Sequence, residues 1–277
     1  MATVRSFVLA LLILTTGGVI AAQGRAPVAA PAGLTRQAWT VDGVERTALV
    51  SAPRTPATGA GSPLVFVFHG HGGTSAQAAR SFAIHQAWPE AVVIYPQGLP
   101  TVGQITDPQG NLPGWQHTPG GEHDRDLHLV DAMFAWATKA TAIDRTRVFA
   151  AGHSNGGSMV YVLWAAQPDR FAAFAPSSSV FKLAQVTGAK PKPALIVAGQ
   201  KDALVPFATQ QISLRAVLRL NHAEADGTDW AGDVKNHRSS IGADVMTYIH
   251  PGGHPMPADA GQMMVKFFKS IGQLTNR

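Results

Sequence analysis

The chain of 277 residues contains no cysteine. That rules out disulfides, thiolate metal sites, a cysteine nucleophile and lipidation through an N-terminal cysteine. Charge is also scarce. Asp, Glu, Lys and Arg make up 14% of the residues, against roughly 25% in an average soluble protein, so the composition argues against a disordered polyelectrolyte and against a coiled coil. The formal charge of +5 is spread along the chain, and no Lys/Arg run exists that could follow a phosphate backbone; nucleic acid is not an expected partner. What the sequence does contain is 45% hydrophobic residues, enough for one sizeable core, together with 28 glycines and 19 prolines to punctuate it.

The first residues read as a targeting segment. Arg5 precedes an apolar stretch from Phe7 to Leu14, followed by Thr15, Thr16, Gly17, Gly18 and a small-residue exit at Ala21 and Ala22. The stretch is too short and too interrupted to span a bilayer, so residues 1–22 are expected to be a cleaved secretory signal. Residues 23–36, rich in Ala, Pro and Gly, read as a flexible linker, and 37–277 as one catalytic-sized domain. The expected location is secreted or periplasmic, with no stable membrane insertion after cleavage.

Within that domain, strand and helix signals alternate. Asp42-Gly43 separates two short β-like runs, as in a tight hairpin. Pro63 to Phe68, Ala91 to Tyr95, Arg147 to Ala151, Phe171 to Ala175, Ala194 to Ala198 and Val245 to Ile249 are apolar runs of strand length. Between them, helical spacing predicts helices from Thr74 or Ser75 to about Ala87, from Arg125, after Ser154, over 208–220 and over 261–271. Gln97 to Asp124 has no period and is too long for an ordinary connection, so it is expected to be a surface feature near the site. The pattern predicts an α/β fold: a mostly parallel central sheet with an antiparallel N-terminal hairpin, helices on both faces, and ligands at the carboxyl ends of the strands.

Chemistry concentrates at Gly152-His153-Ser154-Asn155-Gly156-Gly157, which matches G-x-S-x-G between a predicted strand and a predicted helix. The glycines remove Cβ atoms that would collide in a sharp turn presenting the Ser154 hydroxyl. The Asn155 amide, at the helix start, would face a developing oxyanion. With this elbow, the chain resembles the α/β-hydrolase superfamily, and within it the secreted feruloyl and acetyl-xylan esterases and short-chain polyhydroxybutyrate depolymerases. The resemblance also rests on Val65 to Gly73, Val93 to Gln97, Trp115, Asp169 to Ala173, Asp202 to Pro206 and Gly252-Gly253-His254.

A serine hydroxyl needs an imidazole to accept its proton, and the imidazole needs an acceptor to fix its tautomer. The resemblance implies Asp202 as that acid, within Asp-x-x-Val-Pro, and His254 as the base, giving the order Ser, Asp, His. Asp226, Asp229 and Asp233 remain alternative acids, and His250 and His237 alternative bases. The family's H-G-x pattern implies the His71 backbone N–H as the second oxyanion donor, with Gly70 next. Trp115 resembles the tryptophan that walls the acyl pocket in this group, although core packing would suit the ring as well. His117, Glu122, His123, Asp124, Asp126 and His128 read as solvated polar surface, with a structural ion site as the alternative. Where many relatives have Thr-Trp-Pro after the histidine, this chain has Pro255-Met256-Pro257.

The function implied is a secreted serine ester hydrolase working through an acyl-enzyme without metal or organic cofactor. Its expected substrate is an ester, free or on a polymer, of the feruloyl, acetyl or hydroxybutyrate kind. A serine peptidase of the same fold and a non-catalytic polymer-binding homologue are the rivals.

Overall fold

The computed structural model of the chain describes residues 31–55 and 60–274. The expected signal segment and most of the expected linker lie outside the described residues. In chain order the strands and helices are β1 (Thr35–Val41), β2 (Val44–Ser51), β3 (Ser62–Phe68), α1 (Ser75–Phe82), α2 (Ile84–Ala87), β4 (Val92–Pro96), β5 (Leu99–Pro100), β6 (Pro113–Gly114), α3 (Arg125–Ala140) and β7 (Ile143–His153). They continue as α4 (Asn155–Ala166), β8 (Ala173–Ser177), α5 (Leu183–Val186), β9 (Ala194–Gly199), α6 (Phe207–Leu220), β10 (Thr228–Ala231), β11 (Val234–His237), β12 (Val245–His250) and α7 (Ala260–Leu274).

Ten strands form one sheet in the order β1-β2-β4-β3-β7-β8-β9-β12-β11-β10. The six strands from β4 to β12 in that order run parallel. The N-terminal hairpin adds antiparallel strands at one edge. It turns at Asp42 and Gly43, with φ of 51° and 77°, the doubly left-handed turn that matches strand twist. The central strands bury both faces, as their unbroken apolar runs require. Alternate residues of β3 supply two cores: Leu64, Phe66 and Phe68 pack with residues of α3, α4 and α6, while Val65 and Val67 pack with residues of α1, α2 and α7.

Four expectations need correction. Strand β1 begins at Thr35, inside the segment expected to be linker, and the preceding Leu34 is buried; Leu34 packs with the α1, α2 and α7 core and so anchors the strand. The helix expected from Thr74 to Ala87 is two, broken at left-handed Ala83, where Gly261 of α7 comes up against the Phe82 carbonyl so closely that no Cβ would fit. The strand expected at Phe171 starts at Ala173, because Pro168 to Arg170 form a single 3₁₀ turn first. Strands β10 and β11 were not expected: 228–237 is a short, mostly polar hairpin whose only pairing signal is partnership with β12.

Candidate active site

Strand β7 delivers its last residues to the carboxyl end of the sheet, and the chain turns there into α4 through Ser154 at φ 57° and ψ −120°. A non-glycine residue held at that angle is strained, and the surroundings enforce it. The Ser154 N–H donates to Ser177 O at 2.9 Å, and the Ser158 N–H donates to Ser154 O at 2.9 Å. A Cβ at Gly152 would collide with the Gly156 carbonyl, and one at Gly156 with the Phe68 carbonyl. The two glycines therefore let β3, the elbow and α4 approach, and the serine is left half-buried on a cavity of about 290 Å³.

His254 and His71 lie on the same cavity wall set. The His254 Nδ1–H donates to Asp202 Oδ2 at 2.9 Å, which leaves Nε2 with a lone pair. Strands β9 and β12 bring the two residues together: they pair in parallel up to His250 opposite Gly199, so their following loops emerge side by side. Asp202 Oδ1 accepts from the Leu204 and Val205 N–H groups at 2.9 and 2.8 Å, and Oδ2 accepts from Gln210 Nε2 at 2.9 Å. Burial pushes the carboxyl's pKa up, but the His254 hydrogen bond, the two backbone donors and the histidine's charge outweigh it, and the net shift is downward. The ring of His254 also packs on that of His153, with centroids 4.8 Å apart, and its carbonyl accepts from Ser178 Oγ at 3.0 Å. Among the described residues no hydrogen bond joins Ser154 Oγ to His254; such bonds are often long before substrate arrives.

The turn after β3 carries His71. Gly72 and Gly73 donate their N–H groups to Pro113 O and Gly70 O, whereas the His71 N–H has no acceptor among the described residues. The Asn155 N–H is the first of α4 and has no acceptor within the helix. The His71 ring donates from Nε2 to Asp107 Oδ2 at 3.2 Å, and Asp107 also accepts the N–H groups of Asn111 and Leu112 at 3.1 and 2.8 Å. His69 has both ring nitrogens taken: Nδ1 bonds Gly70 O at 2.7 Å and Nε2 accepts the Gly98 N–H at 3.0 Å. Burial lowers its pKa to about 4, so it is a neutral bridge between loops. Burial likewise lowers His153 to about 4, helped by the neighbouring His254.

Trp115 is not a cavity wall. It is fully buried, packs edge-on against Phe68 at 5.1 Å, and donates Nε1–H to His69 O at 2.8 Å. Its backbone meets the Asn155 side chain twice, N–H to Oδ1 at 2.8 Å and carbonyl to Nδ2 at 3.2 Å. The ring thus supports the elbow from beneath, because a large apolar group with one donor is better placed against a free carbonyl than in solvent. Trp230 is on β10 under Lys266, on the far edge of the sheet.

The residues expected to form one polar surface between 117 and 128 disperse. Asp126 is fully buried and pairs with buried Arg46 at 2.7 Å, while exchanging two hydrogen bonds with Gln116. Asp124 accepts from Gln116 Nε2 and the Gly120 N–H, and His128 meets Asp42. No group of three or more such side chains is poised around a common point among the described residues. His117 alone reaches the cavity. Its Nε2–H donates to Val102 O and its Nδ1 faces Asn155 Nδ2 at 3.3 Å; burial, the largest influence, lowers its pKa.

Sequence reading missed Gln210, Asp107, His153 and Lys182. Only Gln210 carried a signal, as a polar residue that falls on the buried side of an amphipathic helix.

Comparison with known proteins agrees with this architecture. The model of the prolyl oligopeptidase family matches residues 124–191, the stretch that carries the elbow. The chain is 29% identical over 190 residues to a protein named "Putative esterase NocK" of Nocardia uniformis subsp. tsuyamanensis, covering 66% of this chain and 52% of that one. It is 28% identical over 148 residues to "Probable feruloyl esterase C" of Aspergillus flavus, covering 52% and 50%. The chain thus spans about half the length of these relatives. The acetyl xylan esterase of Aspergillus awamori superposes with a TM-score of 0.60 at 15% identity, covering 85% of this chain and 99% of that structure. The fold is that of the α/β-hydrolase superfamily. Several of the proteins that this chain resembles are named as esterases, feruloyl and acetyl xylan esterases among them.

Proposed function

We propose that the protein is a secreted serine ester hydrolase. The observation that carries this reading is the Asp202–His254 hydrogen bond on the same cavity as the strained Ser154. Ser154 Oγ attacks the ester carbonyl while His254 Nε2 takes its proton, and Asp202 holds the ring and balances the imidazolium. The His71 and Asn155 N–H groups receive the oxyanion, a contact worth about 3 kcal/mol for a single donor, because the charge exists only in the transition state. His254 then protonates the leaving alcohol, and water repeats the sequence to release the acyl group. The route calls on protein groups alone. Feruloyl, acetyl and short hydroxyalkanoate esters, free or on a polymer, are the proposed substrates. Export rests on the N-terminal segment, and among the described residues no helix is long and apolar enough to cross a membrane.

The prolyl oligopeptidase match supports a second reading, a serine peptidase on the same triad. The matched stretch holds only the elbow and its flanking elements, which both activities share. Replacing Ser154 with Ala is expected to cut p-nitrophenyl acetate hydrolysis by at least about 10³-fold with the fold intact; turnover at the parent rate would refute the assignment. An amide-only profile for the parent protein would favour the peptidase.

A further inference from the structure

The lining of the Ser154 cavity is lopsided in charge. Among the described residues it includes Lys182 and four histidines but no aspartate or glutamate. Asp107 and Asp202 stand behind two of the rings, bonded to them. Lys182 itself is half-buried, and its ammonium has no hydrogen bond or ion pair among the described residues.

The placement of Lys182 is fixed by the fold. The Phe181 N–H donates to Ser213 Oγ of α6 at 3.0 Å, and the Lys182 N–H donates to Gln185 Oε1 at 2.8 Å. Fully buried Gln185 in turn donates Nε2–H to His117 O at 3.1 Å, tying this segment to the cavity's other wall. Burial draws the lysine's pKa down from its ordinary value, with no carboxylate opposing it. A partly desolvated cation without a counter-ion is unfavourable, and an anionic ligand group relieves it. The cavity's hydroxyls at Ser158, Ser178 and Ser179 and its apolar Ile105, Val180 and Leu204 would suit a short chain leading to such a group.

We propose that Lys182 is a specificity residue selecting esters that carry a carboxylate a few atoms from the scissile bond, the half-esters of short dicarboxylic acids being the simplest case. This rests on the ester hydrolase reading and names its substrate class. The carboxylate could belong to the acyl or the alcohol part. Ethyl hydrogen adipate places it on the first, 4-acetoxybutyrate on the second, and ethyl hexanoate is the neutral reference.

The test measures kcat and KM for all three in the parent, Lys182→Met and Lys182→Arg. One carboxylated ester should exceed ethyl hexanoate by about tenfold in kcat/KM, the scale of one partly desolvated charge pair. Lys182→Met should erase that preference through KM while leaving ethyl hexanoate within about twofold, and Lys182→Arg should keep most of it. Equal rates on charged and neutral esters, or a preference that survives Lys182→Met, would overturn the proposal. Calorimetric titration with adipate separates the two readings. Adipate binding that Lys182→Met abolishes, in a protein that hydrolyses no ester, would uphold the cation site and sink the hydrolase; ester hydrolysis without carboxylate preference would do the reverse.

Discussion

Asp202 and His254 sit at the ends of two strands paired residue for residue, and the Asp202 carboxylate accepts four hydrogen bonds, from Leu204, Val205, Gln210 and His254. Across the cavity, residues 97–124 form a long loop with one two-residue ribbon, β5 with β6, and with Val102, Ile105 and Leu112 exposed. That loop is tied to the turn carrying His71 through the Asp107–His71 contact at 3.2 Å and the Gly72 N–H to Pro113 O bond at 2.7 Å. The difference teaches how the work is divided. The proposed proton transfer needs groups fixed to a fraction of an ångström, and Asp202 and His254 follow paired strand ends, with the carboxylate held by four donors. Recognition tolerates a loop pinned at a few points.

The most severe way to break the rigid half is Asp202→Asn. The amide would present an N–H where the histidine needs an acceptor, favouring the wrong tautomer, and kcat should fall by about 10³ to 10⁴ with KM little changed. Steady-state kinetics on p-nitrophenyl acetate would check this, and a loss under tenfold would remove Asp202 from the relay.

Acid provides the next test, and it strikes the elbow and its neighbour turn together. His69 and His153 are held neutral to about pH 4 in the folded chain but take up protons near 6.5 when unfolded. The unfolded state therefore binds more protons between those values, and stability should drop as pH falls from 6.5 to about 4, by on the order of 3 kcal/mol per ring. The Asp202 carboxylate, shifted downward, adds its loss only at still lower pH. Urea midpoints across this range would show the slope, and replacing His153 with Gln should flatten it.

On the loop side, Asp107→Ala frees the His71 ring and the N–H groups of Asn111 and Leu112 together. We expect about a tenfold fall in kcat/KM with little change in global stability, since the carboxylate holds only a surface loop and one ring. A collapse of the thermal midpoint would show instead that the loop is part of the core. Smallest is Trp115→Phe, which keeps most of the ring but removes the donor to His69 O. It should cost about 1 to 2 kcal/mol of stability and leave KM for small esters unchanged; a rise in KM would return the ring to the cavity wall.

These contrasts also mark what could be read from the linear chain. The buried strands were legible because a sheet covered on both faces demands unbroken apolar runs, and β3, β4 and β9 have them. The elbow was legible because its steric requirement falls on consecutive residues, Gly152 to Gly156. The polar hairpin 228–237 was not, since its strands are defined by pairing with β12 and by no period of their own. Trp115 was open to two readings because an aromatic ring with one donor suits a pocket wall and a core equally, and only the free carbonyl of His69 chooses between them.

The sequence by itself therefore determined the serine turn and the alternation of the buried central strands with the main helices, consequences of local sterics and of which faces must leave water; Asp202 and His254 entered through the resemblance. Only tertiary structure decided that Gln210 holds Asp202, that Asp107 holds the His71 ring, that Asp126 is a buried partner of Arg46, and that Lys182 reaches the cavity with no counter-ion among the described residues. Each joins side chains from separate elements, and a contact between distant positions leaves no periodicity in either stretch for a reader of one sequence to find.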